Sequence, residues 1–98
     1  MKVVSRRTLK KYYEESPQAK NALEMWYKIV KRAEWTCFAD IKKDFNSADS
    51  VGNQRFVFNI KGNDYRLVVI IRFSIQRVYI RFVGTHDDYN KINDIKNI

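Results

Sequence analysis

The sequence predicts an α+β fold in which two to three helices pack on one face of a small, mainly antiparallel twisted sheet. Three observations predict it. Apolar residues between 5 and 45 recur at helical spacing; from Arg55 onward apolar and polar residues alternate with a period of two; and the connections between the alternating runs are too short for parallel neighbours. Ninety-eight residues enclose a single core, so the chain reads as one domain over 1–98, with 93–98 as a flexible tail.

Met1 to Val4, with two β-branched residues, is read as a short edge strand. Ser5 then caps a helix in which Leu9, Tyr12 and Tyr13 share a face, and that helix stops near Ser16. "SPQ" at 16 to 18 is a helix start: Ser16 caps, and Pro17 takes the first position, where a missing N–H costs nothing. The second helix carries Ala19, Ala22, Leu23, Trp26, Ile29, Val30 and Ala33 as its apolar stripe. Thr36 caps a short third helix with Phe38, Ile41 and Phe45 at helical spacing. "NSADSVGNQ" at 46 to 54 is rich in turn formers and is read as a loop. "RFVFNI" (55 to 60), "YRLVVIIRF" (65 to 73) and "RVYIRFV" (77 to 83) are strands, the first two joined through a Gly62-Asn63 turn. "DDYNKI" can form a short helix beyond them, capped by its acids.

Alternation sorts the sheet into two faces. Phe56, Phe58, Ile60, Leu67, Val69, Ile71, Val78, Ile80 and Phe82 form the core face, covered by the second helix. The opposite face collects Arg55, Arg66, Arg72, Arg77 and Arg81 together with Tyr79, and the only acid from Arg55 to Val83 is Asp64, in a turn. A structural surface mixes signs to avoid self-repulsion, so unmixed cations imply an anion supplied from outside. Guanidinium forks fit phosphate, and Tyr79 offers a ring on which bases stack. The chain as a whole agrees, with 19 Lys and Arg against 11 Asp and Glu. The competing reading pairs these arginines with acids of the helices or the tail.

Cys37 is the only cysteine, which excludes an intrachain disulfide and a thiolate metal cluster and fits a reducing cytoplasm. Far in sequence from any histidine base, it reads as an inert, partly buried thiol. No stretch approaches the apolar length of a membrane span, and "MKVVSRRTLKK" lacks the apolar core of a signal peptide. His86, the only histidine, sits just past the last strand at the rim of the cationic face, three residues before Tyr89. There an imidazole can move a proton near a bound phosphate.

The residues "AEWTCFADIKKDFNSADSVGNQRFVFNIKGNDYRLVVII" and "VYIRFVGTHDDYNKI" resemble the HigB toxins of type II toxin–antitoxin modules, in the RelE/ParE superfamily, over about Val3 to Ile92. The resemblance implies a RelE-like fold and a ribosome-dependent, metal-free endoribonuclease without cofactors. Such an enzyme acts on translated mRNA in the cytoplasm and is held in a hetero-oligomer with a HigA-type helix-turn-helix antitoxin. It gives Arg66, in "YRLV", the role of a catalytic arginine, and it places His86 of "VGTH" where the RelE branch carries an arginine. The RelE branch also relies on a tyrosine and lysines, for which Tyr89 and Lys91 stand close by and Lys61 in the hairpin turn farther off. Arg66 and Arg81 then neutralise the scissile phosphate, His86 exchanges a proton, and Tyr89 stacks or assists proton transfer. Arg55, Lys61, Arg72, Arg77, Tyr79 and Lys91 line the RNA path. Two other functions compete: a non-catalytic nucleic-acid-binding module on the same face, and a ParE-like toxin that poisons gyrase through protein contacts.

Overall fold

A computed structural model describes all residues from Met1 to Ile98. Five strands, β1 (Lys2–Val4), β2 (Asp49–Gly52), β3 (Arg55–Ile60), β4 (Tyr65–Arg72) and β5 (Arg77–Thr85), form one sheet in the order β1-β5-β4-β3-β2. Only β1, against β5, runs parallel to its neighbour. Helices α1 (Arg6–Glu15), α2 (Lys20–Arg32) and α3 (Phe38–Asp44) belong to the core side, and a short α4 (His86–Asn90) follows β5 directly. The α+β class, the order of elements and the mainly antiparallel sheet are as the sequence predicts.

The core forms where the apolar stripe of α2 meets the inner face of β3 and β4. Leu23, Trp26 and Val30 are buried against a sheet face that includes Phe58, Leu67, Val69 and Ile71. Phe58 is the aromatic hub: its ring meets Trp26 edge-on at 5.5 Å and Phe45 edge-on at 5.0 Å, and stacks on Trp35 at 6.3 Å. Such pairs add about 0.5–1.5 kcal/mol each beyond burial. The two indoles differ in their polar ends. Trp35 Nε1 donates to Asp44 Oδ2 at 2.8 Å, whereas Trp26 Nε1 is buried with no partner.

The helix starts differ from the sequence reading. Pro17 opens a 3₁₀ turn (Pro17–Ala19) that runs into α2, but the Ser16 hydroxyl makes no cap bond. Ser5 stands in the left-handed region at φ 73° without a side-chain cap, and its carbonyl accepts from Thr8 N at 2.9 Å. Cys37, not Thr36, is the N-cap residue of α3. Thr36 instead donates its N–H and its hydroxyl to Asp40 Oδ2 at 2.9 and 3.0 Å. These donors, the N–H first, hold the Asp40 carboxyl below its ordinary value of 3.8. Cys37 is exposed, which corrects the expectation of a partly buried thiol. Its thiol is drawn to the exposed Asp40 carboxylate instead of the core.

Three further corrections concern the sheet. The segment read as a loop contains β2, an edge strand whose Asp49, Ser50 and Gly52 are poor strand formers and whose pairing with β3 is irregular between Ser50 and Gly52. Second, β5 carries a bulge: Val68 pairs with Phe82 and Val69 with Ile80, leaving Arg81 as the extra residue. The insertion flips the alternation beyond it, so Val83, opposite Leu67, joins the core and Phe82 turns to the outer face. The hairpin between β3 and β4 turns through positive φ at Lys61 (54°) and Gly62 (66°), one residue earlier than predicted.

No helix is long and apolar enough to cross a membrane.

Candidate active site

Strand register places the outer face in rows. Arg55, Ile70 and Tyr79 form one row across β3, β4 and β5; Val57, Val68 and Phe82 the next; Asn59, Arg66 and Gly84 the third. Arg72 and Arg77 face each other directly beyond the first row. Opposed like charges destabilise a sheet by a few tenths of a kcal/mol or more, roughly the reverse of an ion pair. All five arginines predicted for this face project from it or, for Arg81, from the bulge that edges it.

The third row is roofed by α4. Thr85 is its N-cap: the threonine hydroxyl accepts from Asp88 N at 3.1 Å, and Asp88 Oδ2 accepts from Thr85 N at 3.4 Å, a reciprocal capping box. His86 N donates to Asp64 O at 3.1 Å, tying the helix start to the β3–β4 turn. Gly84 supplies the space. A Cβ there would stand 2.7 Å from Phe82 Cζ and 3.3 Å from Asp88 Cβ, so α4 lies against β5 because this residue has no side chain.

The consequence is the contact at the centre of the site. Arg66 leaves β4 beneath α4 with its guanidinium carbon 4.9 Å from the Tyr89 ring centroid, a cation–π stack worth about 0.5–2 kcal/mol depending on exposure. Arg66 Nε is buried and has no hydrogen-bond partner. His86 lies three residues before Tyr89, on the same side of α4. Its Nδ1 is 3.1 Å from the Asn90 side-chain nitrogen. With the amide donating, Nδ1 accepts and the neutral ring carries its hydrogen on Nε2; a flipped amide accepts instead from the imidazolium, so Asn90 can serve both protonation states. Asp88 is engaged in the cap rather than in orienting the imidazole. The sequence reading does not include Asn90, although its spacing of four from His86 on a predicted helix is the signal that points to it.

The structure thus brings Arg66 and Tyr89 into contact and places His86 one helical turn before Tyr89 on α4. Arg81 stands apart: it leaves β5 three residues before Gly84, roughly 10 Å along the strand from the row that holds Arg66. From the bulge it reaches over the face, where Arg81 Nε donates to Ile98 O at 3.1 Å and Arg55 Nη2 to the same oxygen at 2.8 Å. The arginines of this region are therefore engaged by main chain of the C-terminal segment. Beside them Ile70, Arg72, Tyr79 and Arg81 line a concavity of about 230 Å³. Lys61 is exposed in the hairpin turn, Lys91 is exposed at the end of α4, and Arg77 is exposed beyond the concavity.

Residues 19–92 match the family described as "HigB_toxin, RelE-like toxic component of a toxin-antitoxin system". The chain is similar to the "mRNA interferase toxin HigB" of Escherichia coli (strain K12), 30% identical over 92 residues that cover 92% of this chain and 88% of that protein. The "mRNA interferase HigB" of Shigella flexneri matches equally, with 30% identity over 92 residues. The "mRNA interferase HigB" of Escherichia coli O6:H1 (strain CFT073) is 21% identical over 94 residues, covering 94% and 91% of the two chains.

Proposed function

This chain belongs to the HigB family, the RelE-like toxic component of toxin–antitoxin systems, and so has an antitoxin partner; we propose that it acts as an mRNA endoribonuclease through Arg66, His86 and Tyr89. The observation that carries the proposal is the Arg66–Tyr89 pair at the end of an arginine-rich face whose one strand acid is Asp49, in edge strand β2, with an imidazole three residues from the tyrosine.

The chemistry follows from what these groups can do to a ribonucleotide linkage. The 2′-oxygen attacks the adjacent phosphorus, the bond from phosphorus to the 5′-oxygen breaks, and the products carry a 2′,3′-cyclic phosphate and a 5′-hydroxyl. One proton leaves the 2′-hydroxyl and one arrives on the 5′-oxygen. Arg66 holds the non-bridging oxygens and the negative charge that grows on them. The contact is made through the outer nitrogens of its guanidinium, since Arg66 Nε itself is buried. Stacking on Tyr89 fixes the plane of the guanidinium, so little reorganisation is needed as charge develops. His86 exchanges the proton, and Asn90 keeps its ring oriented in either protonation state. The remaining cations, Arg55, Arg72, Arg77, Arg81, Lys61 and Lys91, with Tyr79, draw the RNA along the face.

The finer reading has the enzyme cutting mRNA on translating ribosomes in the cytoplasm, restrained by a HigA-type helix-turn-helix antitoxin in a hetero-oligomer. Primer extension on cellular mRNA after brief expression tests it. Discrete cuts that disappear when translation initiation is blocked support ribosome dependence; cuts that persist on free transcripts contradict it, and intact mRNA with damaged DNA contradicts the nuclease itself.

A further inference from the structure

Arg55 and Arg81 come from strands on either side of β4, yet their guanidinium groups converge on a single oxygen, Ile98 O, at 2.8 and 3.1 Å. Two cations are thus gathered on one oxygen, as they would be on an anion. The match is also incomplete. Arg55 Nη1 turns away to Asn53 O at 3.0 Å, and Arg55 Nε is buried with no acceptor. One oxygen accepts once from each guanidinium and leaves Arg55 Nε without it, whereas a tetrahedral anion offers several oxygens. The segment that supplies the oxygen is a 3₁₀ turn (Ile95–Asn97) held to the rest of the sheet by Asn53 Nδ2, which donates to Lys96 O at 3.0 Å and to Asn97 Oδ1 at 3.5 Å, while Asn97 Nδ2 donates to Asp94 Oδ2 within the segment at 2.6 Å.

Resting on the reading of this face as an mRNA surface, we propose that Arg55 and Arg81 form a phosphate subsite for a linkage neighbouring the scissile one, and that residues 95–98 occupy it until RNA displaces them. The Ile98 oxygen stands where a phosphate oxygen binds. Arg81 is shared with the adjoining 230 Å³ concavity, so a nucleotide whose phosphate lies between the two arginines sets its base against Tyr79, over Ile70 and beside Arg72. The strap masks cations that would otherwise attract any polyanion, and RNA must outcompete it.

The test uses a fluorescently labelled 2′-O-methyl oligoribonucleotide, which binds but cannot be cut, and measures anisotropy over a range of salt. The parent is compared with a chain ending at Asp94 and with full-length Asn53→Gly. The glycine suits the positive φ of 50° at this position and removes the strap's anchor while leaving both arginines in place. Shortening should tighten RNA binding about fivefold or more, with Asn53→Gly moving in the same direction. The salt dependence should steepen by about 0.7 in log–log slope for each additional phosphate that the uncovered arginines neutralise. Adding Arg55→Ala or Arg81→Ala to the shortened chain should abolish the tightening. Equal affinities and slopes in the parent and both strap variants would overturn the proposal, as would a shortened chain whose affinity ignores both arginines. Failure of every form to bind would overturn it together with the nuclease reading, whereas strap-independent binding with mRNA cleavage intact would overturn this inference alone.

Discussion

Gly84 permits a prediction whose sign separates two explanations. In an ordinary strand, replacing glycine by alanine stabilises by roughly 0.5–1 kcal/mol, because glycine gives up more backbone freedom on folding. At Gly84 the added Cβ would stand 2.7 Å from Phe82 Cζ, against about 3.5–4.0 Å for comfortable carbon contact, so one of the two groups must move by about 1 Å. Overlap of this size costs about 1–3 kcal/mol. If the strain is relieved by lifting α4 instead, the Thr85–Asp88 box goes with it, at about 1 kcal/mol. Gly84→Ala should therefore destabilise by a net of up to about 2 kcal/mol, lowering Tm by about 4–8 °C per kcal/mol in a domain of this size. Since the clashing atom is the far end of the Phe82 ring, Phe82→Leu should rescue part of the loss. The double variant should be more stable than the sum of the singles by about 1 kcal/mol. Urea and thermal unfolding of the four proteins supply the cycle. A Gly84→Ala protein more stable than the parent would refute the claim that α4 is seated by a missing side chain.

Other consequences can be checked with the same purified protein. Arg66→Lys keeps the charge but loses both the fork and the stack on Tyr89, so mRNA cleavage in a translating extract should fall about 10²-fold, whereas Tyr89→Phe, which keeps the ring, separates stacking from proton transfer by retaining the stack and losing only the phenol. Trp35→Phe should be more destabilising than Trp26→Phe by roughly 1 kcal/mol in urea unfolding, because only the Trp35 N–H has a partner to lose. Asp40, held below its ordinary 3.8 by the Thr36 donors, favours the folded state above its unfolded pKa, and that contribution fades as pH drops through the folded value. The Tm gap between the parent and Asp40→Ala should accordingly be open at pH 7 and narrow below about pH 4.

Much of this molecule is legible in the chain because its signals are periodic. Helical spacing locates α2 and its buried stripe, and period-two alternation locates β3, β4 and the arginine face. What escapes is decided by single residues. One inserted position, Arg81, exchanges Phe82 for Val83 in the core, and no pattern in "VYIRFV" announces it, since both are apolar. Edge strand β2 hides behind turn-forming residues because it pairs on one side only and owes its place to β3 rather than to propensity. Ser5 and Ser16 carry the right hydroxyl at the right place, yet it is their main-chain carbonyls that accept, from Thr8 N and Ala19 N. At the site, the grouping of Arg66 with His86 and Tyr89 follows from the family motif and from the position of the histidine at the strand end. The separation of Arg81 does not, because it depends on the bulge and on a tail whose course over the face leaves no mark in the sequence.

The proposed reaction needs a guanidinium and an imidazole acting on one RNA linkage, and the cleavage rate of a reporter mRNA in a translating extract measures that directly. At equal concentrations of folded protein, Arg66→Ala and His86→Ala should each cut at least about 10²-fold more slowly than the parent. Cleavage by both variants within about threefold of the parent's rate, well under the loss expected from removing such a group, would mean that the reaction takes place elsewhere on the molecule.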